Sequence, residues 1–440
     1  MPRSKVTQFI LSIVVLPLCL GSIFYFYYRT IVNSEPVNYY DEVMWIGKSY
    51  FFDLFIHDKT NTLWDSVYSY DQPKLVEYMF GMSVYPSYLQ EKKKDSGLTY
   101  FAFLSRNRLL CDACIDAEHL PADSVLTSYN DFLTNPPSKT ETQFYSLVTS
   151  ARTVNVFISI ATIMLVYYFG MSLWGTISGL FLALFYGSNS LILRTTLLAH
   201  ADALLLFFMI ASLYFLFLYM KKSRIEFYFL SSACIGCMAS VKIIGLILLL
   251  PFIFLTISAK NAGKQVQRFM GVLFIIASIF WLFNPYIRKN PFQRIQTMYT
   301  HRLYQEFWVG PNDASYFMPE PKNRIVSVYE RFFVPTGPLY IAPFVASSYN
   351  GWGSWIYGIL VIAGGVSFMK KRFLFIPLTT YFIWITMAYW LIVGWDRYYA
   401  PLVFLFLCMM VEGMRTIVSL LLPYRLRHII FPKIQHMPNQ

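Results

Sequence analysis

The chain has 440 residues, of which 56% are hydrophobic, 19% aromatic and only 14% charged. An average soluble domain carries about 25% charged residues, and the apolar residues here are concentrated in runs of about 20 that nearly lack charge. This pattern excludes an ordinary soluble protein and predicts an all-α polytopic membrane protein. The net charge of +12 comes from short Lys and Arg clusters between the apolar runs, which favours contact with membrane lipids and indicates no nucleic acid partner.

The apolar runs predict about ten transmembrane helices. The first run ends in the aromatic residues Phe24–Tyr28, which is typical of a retained span at the lipid–water interface and not of a cleaved signal peptide. The predicted spans are residues 9–28, 149–169, 172–191, 202–220, 226–241, 243–258, 268–285, 352–369, 373–393 and 398–419.

Basic residues predict the orientation of these spans. If the count of ten is correct, five clusters of Lys and Arg lie on one side of the membrane, at residues 3–5, 221–224, 260–268, 370–372 and 425–433. Because such clusters favour the cytoplasmic side, we expect both termini in the cytoplasm. The long segments 29–149 and 286–351 then lie on the opposite side, which is the periplasm, the cell exterior or an organelle lumen.

This arrangement divides the chain into three parts. Residues 1–285 form a transmembrane module that includes the external loop 29–149, residues 286–351 form a second external loop, and residues 352–440 form C-terminal helices with a cytoplasmic tail. The first loop is too long for a simple connector. Polar and apolar residues alternate at helical spacing in stretches such as Glu42–Phe55, which predicts amphipathic helices along the membrane interface.

An acidic pair lies near the start of the first loop. Asp41 and Glu42 stand between aromatic residues, beyond the end of the first predicted span. A carboxylate just outside the membrane is well placed to act as a general base. The alternative is a helix N-terminus, with Asp41 as the cap and Glu42 in the first turn.

A second polar group comprises Arg194, His200 and Asp202. We expect it in the short external turn between the third and fourth spans. A carboxylate at the end of a span is costly unless it is paired or hydrated. Asp202 is therefore a candidate for substrate binding, with a helix N-cap as the alternative.

Isolated charges mark two further predicted external turns. Lys242 lies between the fifth and sixth spans, and Asp396 and Arg397 lie between the ninth and tenth. An ionisable residue at membrane depth is a functional candidate, and an arginine can bind a phosphate through two parallel hydrogen bonds. The structural alternatives are a lysine extended to the lipid headgroups and an Asp396–Arg397 interfacial anchor. Acids and cations on one face suit a substrate with a phosphate at headgroup level and a hydroxyl to be deprotonated.

In order and spacing, these residues resemble the GT-C superfamily of polyprenyl-phosphate-sugar-dependent glycosyltransferases, in the branch of protein O-mannosyltransferases and lipid A aminoarabinose transferases. Asp41-Glu42 matches the acidic motif of the first loop in that branch. Asp71-Gln72-Pro73-Lys74 resembles its Asp-His-Pro-Pro-like segment, with Gln72 and Lys74 in place of a His and a Pro. The later motifs are matched by Arg194 followed by Asp202, by Ser240-Val241-Lys242, and by Arg397-Tyr398-Tyr399-Ala400-Pro401.

The resemblance implies transfer of a sugar from a dolichyl or undecaprenyl phosphate donor to an acceptor hydroxyl, with inversion. In that scheme Asp41 is the general base, and Glu42 and Asp202 orient the base or bind sugar hydroxyls. The residues implied in donor phosphate binding are Lys242, Arg397 and Arg194, and those implied in contacts with the rest of the substrate are Asp202, His200, Asp71 and Asp396. The acceptor stays open between a protein, a lipid and a cell-wall glycan.

Cysteines and possible metal ligands add less. Cys111 and Cys114 form a Cys-x-x-Cys pair in the first loop, for which a local disulfide is favoured over a zinc site. Carboxylates together with His57 or His200 could bind a divalent metal, but no ligand spacing indicates one, so the cofactor is unassigned. The alternative function is a multi-span transporter or lipid flippase, which predicts charges near the bilayer midplane.

Overall fold

The computed structural model describes residues 15–33, 40–66, 68–69, 72–112, 114–115, 124–137, 141–257, 262–312, 318, 320–333, 352–370, 375–390 and 396–421. Over these residues the chain is helical and has no β-strand, which confirms the predicted all-α class. The α-helices are α1 (Leu16–Asn33), α2 (Tyr40–Gly47), α3 (Tyr50–His57), α4 (Leu75–Lys92), α5 (Tyr100–Arg106), α6 (Tyr129–Thr134), α7 (Thr142–Trp174), α8 (Thr176–Gly187), α9 (Ser190–Leu197), α10 (Asp202–Lys222), α11 (Ile225–Ala239), α12 (Leu249–Ile257), α13 (Ala262–Phe283), α14 (Pro291–Asn312), α15 (Pro321–Phe333), α16 (Trp352–Lys370), α17 (Phe375–Trp390) and α18 (Ala400–Leu421). Short 3₁₀ helices occur at Thr62–Asp65, Ile243–Leu248, Pro285–Ile287 and Asp396–Tyr399.

The structure contains helices that could span a membrane, but it does not confirm the predicted number of ten. Four described helices are long and apolar enough to cross a membrane, namely Thr142–Trp174, Asp202–Lys222, Val266–Phe283 and Arg397–Leu421. Shorter apolar helices overlap five other predicted spans, at Thr176–Gly187, Ile225–Ala239, Ile243–Phe254, Ile356–Lys370 and Phe375–Met387. Helix α1 covers the later part of the first predicted span and continues to Asn33. The count of ten spans and their orientation remain predictions.

The first loop contains packed helices. Helices α2 and α3 cover most of the stretch Glu42–Phe55, and α4 packs against both of them. Their shared core is aromatic: the Tyr50 ring centroid lies 4.4 Å from that of Phe51 and 4.8 Å from that of Phe101. The helices predicted in this loop are confirmed, and their placement along the membrane interface stays a prediction.

Helix α7 joins the loop to the apolar bundle. It has 33 residues and begins at Thr142, well before the predicted span 149–169. At 1.5 Å per residue it extends about 50 Å, which exceeds the ~30 Å of a hydrocarbon core. Its first turns bury Phe144, Leu147 and Val148, and α4 packs against it. One continuous helix therefore holds the loop helices against the bundle.

The third predicted span, residues 172–191, is wrong in its bounds. The chain instead forms α8, which ends at Gly187, and a separate helix α9. Asn189 produces the break, because its side chain accepts hydrogen bonds from two backbone N–H groups and caps α9. Arg194, predicted to lie in an external turn, consequently lies within α9.

The chain is interrupted between the fifth and sixth predicted spans, as expected. Helix α11 ends at Ala239, Lys242 has extended backbone, and a 3₁₀ helix precedes α12. Pro251 lies in the first turn of α12, a position at which proline is tolerated. Lys242 therefore lies in the break between two helices and not within a helix.

A buried carboxylate joins α7, α16 and α18. Glu412 is fully buried, and its oxygens accept hydrogen bonds from Trp174 Nε1 at 2.6 Å and from Ser367 Oγ at 2.5 Å. Helices α16 and α18 approach closely, since a Cβ on Gly364 would collide with the backbone of α18. These contacts fix α18, which begins directly after the 3₁₀ helix that carries Arg397.

Candidate active site

Five of the predicted site residues line a single cavity of about 400 Å³. They are Asp41, His200, Asp202, Lys242 and Arg397. They come from α2, from the start of α10 and the residues before it, from the break after α11, and from the 3₁₀ helix before α18. The sequence predicted a common membrane face for these residues, and the structure brings them together in one cluster.

The rest of the cavity is largely apolar. Its wall includes side chains from α10, from the 3₁₀ helix after Lys242 and from α17, among them Leu205, Met209, Ile243, Ile247, Ile383 and Met387. The charged cluster continues directly into this apolar part. The cavity therefore suits a ligand that has one charged end and one hydrocarbon end.

Asp202 and Lys242 form an ion pair at one side of the cluster. Lys242 Nζ donates a hydrogen bond to Asp202 Oδ1 at 2.5 Å, and Nζ also lies 5.4 Å from the centroid of the Tyr398 ring. The Asp202 side chain is only 4% exposed, so its cation compensates a charge that would be costly to bury alone. Ala201 occupies the N-cap position of α10, and the N-cap alternative for Asp202 is therefore wrong.

Asp41 and Arg397 form a second ion pair across the cavity. Arg397 Nη1 donates to Asp41 Oδ2 at 2.6 Å, although the two residues are 356 positions apart in sequence. The Asp41 side chain remains 42% exposed. Asp41 and Glu42 both lie in the first turn of α2, where the helix dipole favours negative charge. The base candidate is thus paired and still accessible from the cavity.

The contact with Arg397 defines the tautomer of His200. Arg397 Nη1 lies 3.1 Å from His200 Nδ1, and since a guanidinium has only donors, Nδ1 must accept. In a neutral imidazole the proton then resides on Nε2, an assignment inferred from the network. Within the described residues Nε2 is buried and has no hydrogen-bond partner. His200 therefore has one N–H donor to offer a ligand.

Burial and charge set the ionisation of the cluster. Burial acts to raise the pKa of Asp41, but the charge and hydrogen bond of Arg397, together with the other basic groups of the cluster, outweigh it and hold this pKa below its ordinary value. Burial and Arg397 together lower the pKa of His200, so the imidazole is neutral at pH 7. At neutral pH the cluster contains two carboxylates, two cations and a neutral histidine.

Glu42 forms a buried bidentate ion pair outside this cluster. Arg152 Nε donates to Glu42 Oε1 at 2.9 Å, and Arg152 Nη2 donates to Oε2 at 2.7 Å. The backbone N–H of Ala199 also donates to Oε1 at 2.7 Å. Glu42 is fully buried. Because Glu42 directly follows Asp41, these bonds connect the start of α2 both to α7 and to the backbone just before His200.

Asn155 strengthens the same junction one turn further along α7. Its Nδ2 donates to the carbonyl oxygens of Leu198 at 2.6 Å and His200 at 3.0 Å. Neither Arg152 nor Asn155 was predicted as a site residue. The signal was present in the sequence, because two polar residues at i and i+3 in an apolar span share one helix face.

The segment that resembles the Asp-His-Pro-Pro-like motif lies against the turn that carries Lys242. Leu75 N–H donates to the carbonyl oxygen of Ser240 at 3.1 Å, and Gln72 and Pro73 line the cavity. The contact joins the first loop to the break after α11. Asp71 lies outside the described residues.

The remaining candidates are untested by the geometry. The side chains of Arg194 and Asp396, like Asp71, lie outside the described part of the structure, and their roles stay predictions. Among the described residues no group of three or more His, Cys, Asp or Glu side chains is arranged to hold a metal ion. His57 instead makes a 2.8 Å hydrogen bond through Nε2 with the Tyr85 hydroxyl.

Comparison with known proteins agrees with the motifs. A sequence model of the dolichyl-phosphate-mannose-protein mannosyltransferase family matches residues 144–287, a segment that contains Arg152, His200, Asp202 and Lys242. No curated protein and no solved structure matches the chain significantly. Over residues 144–287 the chain therefore matches a mannosyltransferase family of the GT-C type, and the resemblance indicated by the motifs is confirmed.

Proposed function

We propose that this membrane protein transfers a sugar from a polyprenyl-phosphate donor to an acceptor hydroxyl on the external or luminal face, with inversion. The observation that carries the proposal is the cavity in which acids and cations continue into an apolar lining. A polyprenyl-phosphate sugar has the same two parts, an anionic phosphate and an isoprenoid chain. The name of the matched family specifies dolichyl-phosphate mannose and a protein, and this donor and acceptor class are the first to assay.

Lys242 and Arg397 are the cations available to the donor phosphate. Each is paired with a carboxylate of the cavity, Lys242 with Asp202 and Arg397 with Asp41. Phosphate oxygens compete well for such N–H donors, because charge-assisted hydrogen bonds to phosphate are strong. His200 Nε2 adds an uncharged donor in the same cluster. Arg194 remains a further candidate for this role.

Movement of Arg397 from Asp41 to the phosphate would activate the base. While the pair is intact, Arg397 occupies an oxygen of Asp41 and lowers its pKa. When the guanidinium of Arg397 binds the phosphate instead, the pKa of Asp41 rises, and the released carboxylate oxygen of Asp41 can accept the proton of an acceptor hydroxyl. The base then becomes competent only after the donor has bound.

The chemical step is a single displacement at the anomeric carbon. The acceptor oxygen forms a bond to this carbon on the face opposite the phosphate, and the acceptor proton moves to Asp41. The bond between the anomeric carbon and the phosphate oxygen breaks, and its electron pair leaves with the polyprenyl phosphate. Lys242 and Arg397 stabilise the negative charge that develops there.

Glu42 and Asp202 act as positioning residues in this scheme. Glu42 holds the start of α2 against Arg152, and Asp202 holds Lys242 at the cavity wall. Effective catalysis requires reacting groups in near-attack geometry. Substitution of Glu42 should therefore lower turnover by displacing Asp41, and substitution of Asp202 should lower it by displacing Lys242.

Two features support an external or luminal site. The five basic clusters predict that the face opposite the first loop and the site is cytoplasmic. The first loop also contains the Cys111–Cys114 disulfide, a bond that persists in oxidising compartments.

The test uses the purified full-length protein in lipid nanodiscs with radiolabelled polyprenyl-phosphate mannose and an acceptor panel of protein, lipid and glycan. Wild type should release polyprenyl phosphate and label one acceptor class, whereas Asp41→Asn should not. Asp95→Asn is the matched control, since Asp95 pairs with Arg106 at an exposed position and should keep the wild-type rate.

Two results would contradict the proposal. Transfer by Asp41→Asn at the wild-type rate would remove Asp41 as the base. Donor that stays intact while crossing the bilayer of a proteoliposome would favour the flippase alternative.

A further inference from the structure

The Cys111–Cys114 disulfide packs against the helix that carries Asp41. Both cysteines are fully buried. A Cβ on Gly47, the last residue of α2, would collide with the carbonyl oxygen of Leu109 and lie 2.7 Å from Cys114 Sγ. Cys114 Sγ also lies 3.7 Å from the carbonyl oxygen of Met44. The disulfide segment is therefore in close contact with the C-terminal turn of α2.

Hydrogen bonds hold the disulfide segment on its other sides. The buried Tyr50 hydroxyl donates to the carbonyl oxygen of Cys114 at 2.9 Å. Thr127 N–H donates to the carbonyl oxygen of Leu110 at 2.9 Å, and Asp112 N–H donates to that of Thr127 at 3.3 Å. Because the segment is anchored in this way, it forms a fixed support for α2.

Helix α2 connects this support to the reaction site. Asp41 precedes Gly47 by six residues, about 9 Å along the helix axis, and Met44 and Trp45 between them line the cavity. A short helix moves as a unit, so a shift at Gly47 displaces Asp41. A misplacement of about 1 Å can cost on the order of 100-fold in rate.

We propose that the Cys111–Cys114 disulfide is a redox-dependent positioning element for Asp41, so that full turnover requires the oxidised form. The inference rests on the proposed function, in which Asp41 is the base. The activity of the protein would then be restricted to the oxidising side of the membrane.

The redox step needs an external dithiol. The dithiol supplies two electrons and two protons, breaks the S–S bond to give two thiols, and is itself oxidised to a cyclic disulfide. The two sulfur atoms then separate to van der Waals distance. Because even a Cβ on Gly47 would lie only 2.7 Å from Cys114 Sγ, the space beside α2 is restricted, and we expect the separation of the sulfur atoms to shift the disulfide segment or α2.

The experiment compares oxidised, dithiothreitol-reduced and reoxidised wild-type protein in nanodiscs, assayed with polyprenyl-phosphate mannose. Reduction should lower kcat by about tenfold or more and change the donor KM much less, since Lys242 and most of the apolar lining do not belong to α2. Reoxidation should restore kcat. Hydrogen exchange of the backbone amides of α2 should rise on reduction and return on reoxidation.

The chain offers two matched controls. Cys234 and Cys237 form a second Cys-x-x-Cys pair, in α11, with free thiols, and the double Cys→Ser variant there should keep the response to reductant. Gly47→Ala should lower kcat without any reductant. Gly97→Ala should not, because the nearest atom to its Cβ would be 3.6 Å away.

The outcomes separate the two proposals. Reduced wild type that turns over at the oxidised rate would overturn the inference, as would a loss of kcat with unchanged exchange in α2. If no redox state transfers sugar, the proposed function fails, while the exchange measurement still decides whether the disulfide holds α2.

Discussion

Replacement of Arg152 by lysine should weaken the junction between α2 and α7 while keeping the positive charge. Arg152 makes two charge-assisted hydrogen bonds to Glu42, at 2.9 and 2.7 Å, and the two side chains are 6% and 0% exposed. A lysine cannot form the same fork. Since a hydrogen bond to a charged group contributes about 1.5–3 kcal/mol, Arg152→Lys should lower the free energy of unfolding by this amount. Arg152→Met, which leaves Glu42 buried without its cation, should lower it by about 3–5 kcal/mol.

The measurement is reversible unfolding in mixed detergent micelles, combined with the rate of sugar transfer. Arg106→Lys is the matched control, because Arg106 and Asp95 form a single bond and their side chains are 56% and 48% exposed, so its effect should be about 0–1 kcal/mol. The kcat of Arg152→Lys should also fall, since Glu42 holds the start of α2. Unfolding and kcat of Arg152→Lys that equal those of Arg106→Lys would refute a positioning role for the Glu42–Arg152 pair.

Three further expectations follow from the cavity. Compared with Asp202→Asn alone, the double variant Asp202→Asn/Lys242→Gln, in which neither position carries a charge, should lose about 1.5–3 kcal/mol of donor binding, or roughly 10- to 100-fold in KM. An unchanged KM would contradict phosphate binding by Lys242. Because Arg397 holds the pKa of Asp41 below its ordinary value, the loss of kcat/KM on acidification should occur only at pH values below the ordinary pKa of an aspartate. Arg397→Gln should move this loss to higher pH in a pH–rate profile. Ile247→Trp should narrow the apolar part of the cavity, so that the KM for a long polyprenyl donor rises more than the KM for a donor of two isoprene units. Equal changes in the two KM values would show that the isoprenoid chain of the donor does not bind in this part of the cavity.

Local sequence patterns predicted much of the fold. Apolar runs identified the helices of the bundle, since a helix in lipid must satisfy its backbone internally and cover itself with apolar side chains. The pattern of Asp202 before an apolar run and of Lys242 between two such runs correctly placed both residues at helix ends. The pattern was insufficient where a single side chain began a new helix: Asn189 caps the N-terminus of α9, and the predicted turn around Arg194 is wrong for that reason.

The first loop shows the same division. Helical spacing predicted the helices within Glu42–Phe55, and α2 and α3 confirm them. No local pattern indicated that the disulfide segment supports α2, since this contact depends on a glycine at position 47 and on a carbonyl oxygen more than sixty positions later.

The sequence by itself determined the all-α membrane class, the order of the apolar helices and five of the charged or polar residues that line the cavity. Only the tertiary structure decided their partners: Asp41 with Arg397, 356 positions away, and Glu42 with Arg152, 110 positions away. The physical reason is that hydrophobic periodicity specifies which face of a helix is buried, whereas an ion pair depends on which helices pack together and at what depth. Adjacent carboxylates on α2 therefore acquired different roles, Asp41 open to the cavity and Glu42 buried against α7.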